Sequence, residues 1–110
     1  MQAPSVPVDE IERLEALVAL DVLDSPKDER FDRVTRLARG LFSVPIALVC
    51  LIDSDRQWFK SRQRLAAADT ARDISFCANA IASDAPFVVA DALDDPRFAD
   101  NPLVIGAPHI

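Results

Sequence analysis

The sequence contains few of the residues on which most catalytic, metal and phosphate sites depend. Its 110 residues include one histidine, two cysteines and two glycines, and tyrosine is absent. With only Gly40 and Gly106, the chain has no glycine-rich loop that could cradle a phosphate. A tetrahedral zinc site would need nearly every Cys and His together with carboxylates, so we predict no metal site. His109 is the penultimate residue, where a general base is hard to fix in position, and we predict no catalytic residue.

Basic charge and long hydrophobic runs are also scarce. The 12 Lys and Arg residues against 18 Asp and Glu give a net charge of −6, which opposes binding to nucleic acids and to anionic membranes. The longest apolar run, Ile46–Ile52, is too short to cross a bilayer, and residues 1–7 lack the features of a signal peptide. We therefore expect a cytoplasmic protein without nucleic-acid or membrane partners. Its two cysteines, Cys50 and Cys77, are expected to be reduced and buried.

The chain is organised around the apolar segment Ile46–Ile52. This segment is rich in β-branched residues and carries no charge, which is typical of a central strand covered on both faces. After a short polar turn, the alternation predicts a second strand nearer the sheet edge. In that strand, Trp58 and Lys60 should lie on one face, and Phe59 and Ser61 on the other.

Two amphipathic helices are predicted before this hairpin. The first should begin at Asp9 as N-cap, with Glu12 in the capping-box position. The second should begin with Ser25 as N-cap and Pro26 at the first helical position. Their predicted apolar faces consist of Ile11, Leu14, Leu17 and Val18 in the first helix, and Phe31, Val34, Leu37, Ala38 and Leu41 in the second.

The chain after the hairpin is predicted to be less regular. Residues 62–73 have no strong period and are interpreted as a strand end and a loop. Ser75 should cap a short helix over residues 76–83, and Phe87–Ala90 should form a third strand. Residues 94–98 are typical of a capped single turn, and Asn101-Pro102 should end it.

Eight short motifs along the chain form a combined pattern. They are Arg13–Leu17, Val22–Pro26, Phe31–Ala38, Val44–Val49, Asp55–Ser61, Arg72–Ala78, Val89–Ala92 and Asp95–Phe98. The pattern resembles that of bacterial GAF domains, in the subgroup that precedes histidine kinase, diguanylate cyclase and phosphodiesterase modules. It runs from about Glu12 to Ile110, with one departure: Asn79 occupies a position where this subgroup usually has histidine.

The resemblance implies an α+β fold, in which an antiparallel sheet carries helices on both faces and encloses a cavity. The implied organisation is a flexible N-terminus over residues 1–8, a signalling or dimerisation helix over 9–24, and a GAF domain over 25–110. Such a domain normally continues into two further strands and a final helix, with those strands between the hairpin and Phe87–Ala90. The chain is therefore expected to be a C-terminally incomplete piece, or to be completed by a second copy in an intertwined dimer.

The resemblance also implies a non-catalytic regulatory module that senses a small molecule and transmits its binding through helix shifts, often in a homodimer. It identifies no particular ligand or cofactor. The pocket residues implied by family position are Trp58, Phe59, Phe76, Cys77, Asn79, Asp91 and Phe98. The alternatives are a ligand-free structural dimerisation module and, third, a thiol-based reductase, against which two isolated cysteines argue.

Overall fold

A computed structural model describes residues 2–110 of the chain, so Met1 of the predicted flexible segment 1–8 lies outside the described residues. Residues 2–7 form neither helix nor strand. The elements are α1 (Glu10–Leu20), α2 (Glu29–Phe42), β1 (Ala47–Ile52), β2 (Arg56–Gln63), β3 (Asp69–Ala71), a 3₁₀ helix (Arg72–Ile74), α3 (Phe76–Ala80) and α4 (Pro102–Ile105). None of these helices has the length and hydrophobicity of a membrane-spanning segment.

The sheet has three antiparallel strands in the order β1-β2-β3. The predicted hairpin is confirmed. Among the described residues β2 lies between the other two strands, because β3, which lies in the segment predicted as a loop, pairs with the other side of β2. Whether β1 is central depends on pairing of its other edge, which stays a prediction. The prediction of a third strand at Phe87–Ala90 is wrong, because that segment is irregular.

A β-bulge interrupts the alternation of side chains along β2. Cys50 is paired with Phe59 and Val49 with Ser61, so Lys60 is an extra residue on the longer strand. A bulge of this kind resets which face the following residues occupy. Ser61 accordingly bonds to α2, whereas Phe59 lines the opposite side of the sheet. The predicted strict alternation is therefore wrong from Ser61 onward.

Helix α2 packs on β1 and β2 through a buried polar contact. The hydroxyls of Thr35 and Ser61 lie 2.8 Å apart, and Ser61 also donates to Oδ1 of Asp32 at 2.6 Å. The helix starts after Asp28, whose carboxylate accepts from the Arg30 amide, so the prediction of Ser25 as N-cap is wrong. The physical reason is that the helix starts at Glu29, three residues beyond Pro26, where Asp28 supplies the capping oxygen.

The opposite face of the sheet carries α3 and the segment that follows it. Ser75 caps α3 as predicted, since its hydroxyl accepts from the Ala78 amide at 3.0 Å, although the helix ends at Ala80 and not at residue 83. Ser75 also bonds to Gln57 of β2. Asn101, predicted as a breaker, is the N-cap of α4. Helices therefore cover both faces of an antiparallel sheet, and the predicted α+β class is confirmed.

Helix α1 is attached to the sheet mainly by polar contacts. Nη1 of Arg13 donates to the Ile52 carbonyl at 2.5 Å, and Leu17 is the buried residue of this helix. Asp9 is at the N-cap, but its side chain makes no capping bond within residues 2–110, so the predicted capping box is wrong. Several residues of the predicted apolar faces are largely exposed: Ile11, Val18, Val34, Leu37 and Leu41.

Candidate functional site

A largely apolar cavity, here called the apolar pocket, lies on the α3 side of the sheet. Its volume is about 660 Å³. Its walls come from all three strands, from α3 and from the segment 103–110, with Leu48, Phe59 and Phe76 among the apolar side chains. The pocket exists because Phe59 lies on the α3 side of β2, as its alternation with Gln57 places it, and because segment 103–110 folds back over the sheet.

Aromatic packing holds one wall of the apolar pocket in place. The rings of Phe76 and Phe98 are stacked with centroids 4.1 Å apart and an interplanar angle of 13°. Phe87 contacts Phe98 edge-on at 6.0 Å. Because Phe98 is only 3% exposed, it fixes the Phe76 ring from behind.

The polar groups around the apolar pocket are few. Gln57 is already occupied, because it bonds to Ser75 and donates through Nε2 to Sγ of Cys50 at 3.2 Å. The buried Oγ1 of Thr70 has no hydrogen-bond partner among the described residues. Arg64 and His109 complete the polar lining. The pocket therefore combines apolar walls with one hydroxyl whose hydrogen-bonding capacity is unused.

The residues predicted from the family pattern are distributed over more than one site. Phe59, Phe76 and Cys77 line the apolar pocket, and Phe98 supports it from behind. Asp91 lines an adjacent hollow to which Phe76 and Cys77 also contribute.

The other two predicted residues lie away from the apolar pocket. Nδ2 of Asn79 donates to the Ser75 carbonyl at 3.3 Å within α3. Trp58 lines a different, more polar cavity of about 510 Å³ beside α2, here called the polar cavity.

Two residues of the apolar pocket are not among those predicted from the sequence. Thr70 lies in a segment that the sequence predicts to be a loop, and Leu48 is an aliphatic residue, whereas the family pattern implies mainly aromatic and polar positions. The unbroken apolar run Ile46–Ile52, which predicts a strand covered on both faces, could have indicated Leu48.

The polar cavity is bounded by a buried lysine. Lys60 is 8% exposed, and its Nζ donates to Ser25 Oγ at 2.7 Å and to the Pro26 carbonyl at 2.6 Å. The ammonium group also lies 5.7 Å from the centroid of the Phe31 ring. These contacts attach the loop before α2 to the bulge of β2, which is a structural role. No group of three or more potential metal ligands occurs within residues 2–110.

The two cysteines, which are far apart in sequence, come together beside the apolar pocket. Both are half-buried, and both line one groove beside α1. The proximity of the two thiols lowers the pKa of Cys77, with a further contribution from Gln57, and raises the pKa of Cys50, to which burial also contributes. The sequence expectation of two isolated thiols is therefore wrong about their separation.

The fold agrees with what comparison with known proteins shows. The model of the GAF domain family matches residues 26–110, and the chain belongs to this family. It is therefore a regulatory domain and not an enzyme. Over 110 residues, the chain is 43% identical to the protein named "Cyclic di-GMP phosphodiesterase PA2567" of Pseudomonas aeruginosa. The alignment covers the whole of this chain and 19% of that relative.

Proposed function

We propose that this GAF domain is a sensor that binds a small molecule in the apolar pocket and regulates a signalling output in a longer protein. The observation that carries the proposal is the pocket itself. Its volume of about 660 Å³ lies in the range of ligand sites in general, roughly 300–1,000 Å³. Apolar walls with a few polar groups are the usual lining of such sites.

The lining favours a ligand with an apolar body and one anionic or hydrogen-bonding group. Leu48, Phe59 and Phe76 would contact the apolar part. Arg64 supplies positive charge, and no acidic residue lines the pocket within the described residues.

A short chain of contacts joins the pocket to α1 and supports a route for the signal. Phe76 and Cys77 belong to α3, which directly follows the 3₁₀ helix containing Arg72. Nη1 of Arg72 donates to Glu10 of α1 at 2.6 Å. Ligand binding would favour one position of α3, and this ion pair would carry the shift to α1 as a change in populations.

The named relative suggests which activity the longer signalling protein would have. Since that relative is named as a cyclic di-GMP phosphodiesterase, we propose that the domain regulates cyclic di-GMP hydrolysis by a module elsewhere in a longer chain. We further propose that the protein acts in the cytoplasm as an intertwined homodimer, in which the free edge of β1 pairs with the second copy and the exposed apolar flank of α2 contacts it. The net charge of −6 supports the absence of nucleic-acid and membrane partners.

A fluorescent probe can test the ligand site. Anilinonaphthalene sulfonate has an apolar body and one anionic group, which matches the lining. We expect saturable binding, and we expect Thr70→Phe to weaken it roughly tenfold or more, about 1.4 kcal/mol, because the larger ring fills the pocket. Leu37→Glu, which removes an exposed apolar side chain from α2, is the control and should leave this binding unchanged. Equal affinity in wild type and Thr70→Phe would contradict the proposal.

A second candidate function is a ligand-free structural dimerisation module. The exposed apolar side chains of α2, with Leu37 at 66% and Leu41 at 71% exposure, favour it. Native mass spectrometry separates the two candidates. A dimer that never carries a small molecule, and never takes up the probe, would favour the structural module.

A further inference from the structure

Cys50 and Cys77 form a thiol pair that connects two elements of the fold. Cys50 belongs to edge strand β1, and Cys77 belongs to α3, which packs on that strand. Both cysteines line a groove of about 380 Å³ at the free edge of β1, together with Leu17 and Ile81. Cys77 also lines the apolar pocket. A small molecule can therefore approach the pair from the groove, and Cys77 also from the pocket.

The surroundings of the pair make its two sulfur atoms inequivalent. Gln57 donates from Nε2 to Sγ of Cys50 at 3.2 Å, and its carbonyl end is bonded to Ser75. The contact between the thiols lowers the pKa of Cys77 and raises that of Cys50. Since the thiolate is the nucleophile in cysteine chemistry, and Cys77 lines both the groove and the apolar pocket, Cys77 is the better placed of the two to react first.

We propose that Cys50 and Cys77 are a modification site at which a small hydroperoxide closes an intrachain disulfide between β1 and α3. The Cys77 thiolate attacks the peroxide, the O–O bond breaks, and Cys77 becomes a sulfenic acid while water or alcohol leaves. Cys50 then attacks Cys77 Sγ, the S–O bond breaks, and water leaves with the Cys50 proton. Two thiols and one hydroperoxide thus give one disulfide, with the peroxide reduced.

The apolar lining of the groove is the reason why we propose a small hydroperoxide as the oxidant. Leu17, Leu51 and Ile81 line the groove beside the pair, and a small neutral peroxide can enter such a space more readily than a charged disulfide. The new bond would fix α3 on β1. The inference does not depend on the proposed ligand, because it requires only the two thiols and an oxidant.

Mass spectrometry of the purified chain tests the inference. After treatment with hydrogen peroxide and alkylation of free thiols, trypsin releases Cys50 in residues 40–56 and Cys77 in residues 73–97. We expect a disulfide to join these two peptides within a single monomeric chain, and we expect dithiothreitol to separate them again. Two alkylated peptides after peroxide, or a bond found only between different chains, would overturn the proposal.

Single variants test the order of the two steps. In Cys50→Ser, the Cys77 sulfenic acid has no partner, and we expect dimedone to label Cys77. In Cys77→Ser, we expect Cys50 to be labelled at least tenfold more slowly. Equal labelling of both variants would overturn the assignment of Cys77 as the nucleophile. The wild-type peptide map decides whether the disulfide forms even if a variant fails to fold.

Discussion

At the scale of single residues, buried polar contacts fix how α2 sits on the sheet. Thr35 and Ser61 are each 2% exposed, and together with Asp32 and Gln63 they form a hydrogen-bonded set between helix and strand. Polar groups buried in this way stabilise a fold only while their partners remain in place. The set therefore specifies the register of α2 against β2.

Replacing Ser61 tests this contact. Ser61→Ala removes the partner of the Asp32 carboxylate at the helix–sheet interface and one of the partners of Thr35, and we expect the unfolding free energy to fall by about 1–3 kcal/mol. Urea denaturation followed by circular dichroism measures the change. Ser54→Ala, at an exposed turn position, is the control and should change stability by less than about 0.5 kcal/mol. Equal effects of the two substitutions would contradict the structural role of Ser61.

Glu10 is a second residue whose contacts are expected to affect the stability of the fold. Hydrogen bonds from Arg72 and then Arg13 lower its pKa from 4.5 to about 2, against the opposing effect of burial. Because the pKa is lower in the folded state, the ion pairs stabilise the fold above the unfolded pKa. This stabilisation is lost as the pH falls through the folded pKa.

The pH dependence of unfolding tests this ion pair. Between about pH 5 and pH 2, we expect wild type to lose about 1 kcal/mol that Glu10→Gln does not lose. Other carboxylates with lowered pKa values, such as Asp28 and Asp95, contribute equally to both proteins. Glu15→Gln, at an exposed position of the same helix, should follow wild type. If the unfolding free energies of wild type and Glu10→Gln change in parallel with pH, the ion pairs contribute nothing to stability.

At the scale of elements, the exposed surfaces of the sheet and helices are the main feature. β1 pairs on one side only, and the predicted pairing of its other edge, by later residues of a longer chain or by a second copy, stays a prediction. The apolar flank of α2 is likewise exposed at Val34, Leu37 and Leu41. Apolar groups grouped on one helix are typical of an interface.

Sedimentation tests the proposed homodimer. Leu37→Glu places a charge on the apolar flank of α2, and we expect the dissociation constant of the dimer to rise at least tenfold, about 1.4 kcal/mol. Ala66→Glu, which introduces the same charge at an exposed loop position, should leave the dimer intact. A wild-type chain that stays monomeric at all concentrations, or a dimer insensitive to Leu37→Glu, would contradict this interface.

The elements also show how far the sequence alone determines this structure. The hairpin, the Ser75 cap and the turn capped by Asp95 were predictable because each depends on local chemistry. The helical periods of α1 and α2 were predictable as well, but which side of α2 is buried was not. The buried side is decided by the tertiary bond between Thr35 and Ser61.

The features that were missed depend on contacts between distant segments. β3 is three residues long and is a strand only because β2 offers it an edge. The pairing of Cys50 with Cys77 requires α3 to pack on β1, which no spacing of the two cysteines indicates. Of the candidate site, the sequence identified Phe59, Phe76 and Cys77 through the family pattern, but not Thr70 or the covering segment 103–110.

At the scale of the whole molecule, one surface of the sheet is structural and the other is available for sensing. The α2 side is held by buried hydrogen bonds of Ser61 and Lys60. The α3 side encloses the apolar pocket, and the 3₁₀ helix before α3 is tied to α1 through Arg72 and Glu10. This division supports a domain in which a ligand on one face alters the position of helices that lead to another module.

The most direct measurement of the central claim is an amide NMR titration of the chain with anilinonaphthalene sulfonate. The account predicts saturable shifts at the pocket residues Leu48, Thr70 and Phe76, with smaller shifts extending through Arg72 to Glu10. It also predicts that Thr70→Phe moves the midpoint of these shifts to at least about tenfold higher probe concentration. Shifts confined to the exposed flank of α2 around Leu37 and Leu41, with the pocket residues unmoved, would contradict it.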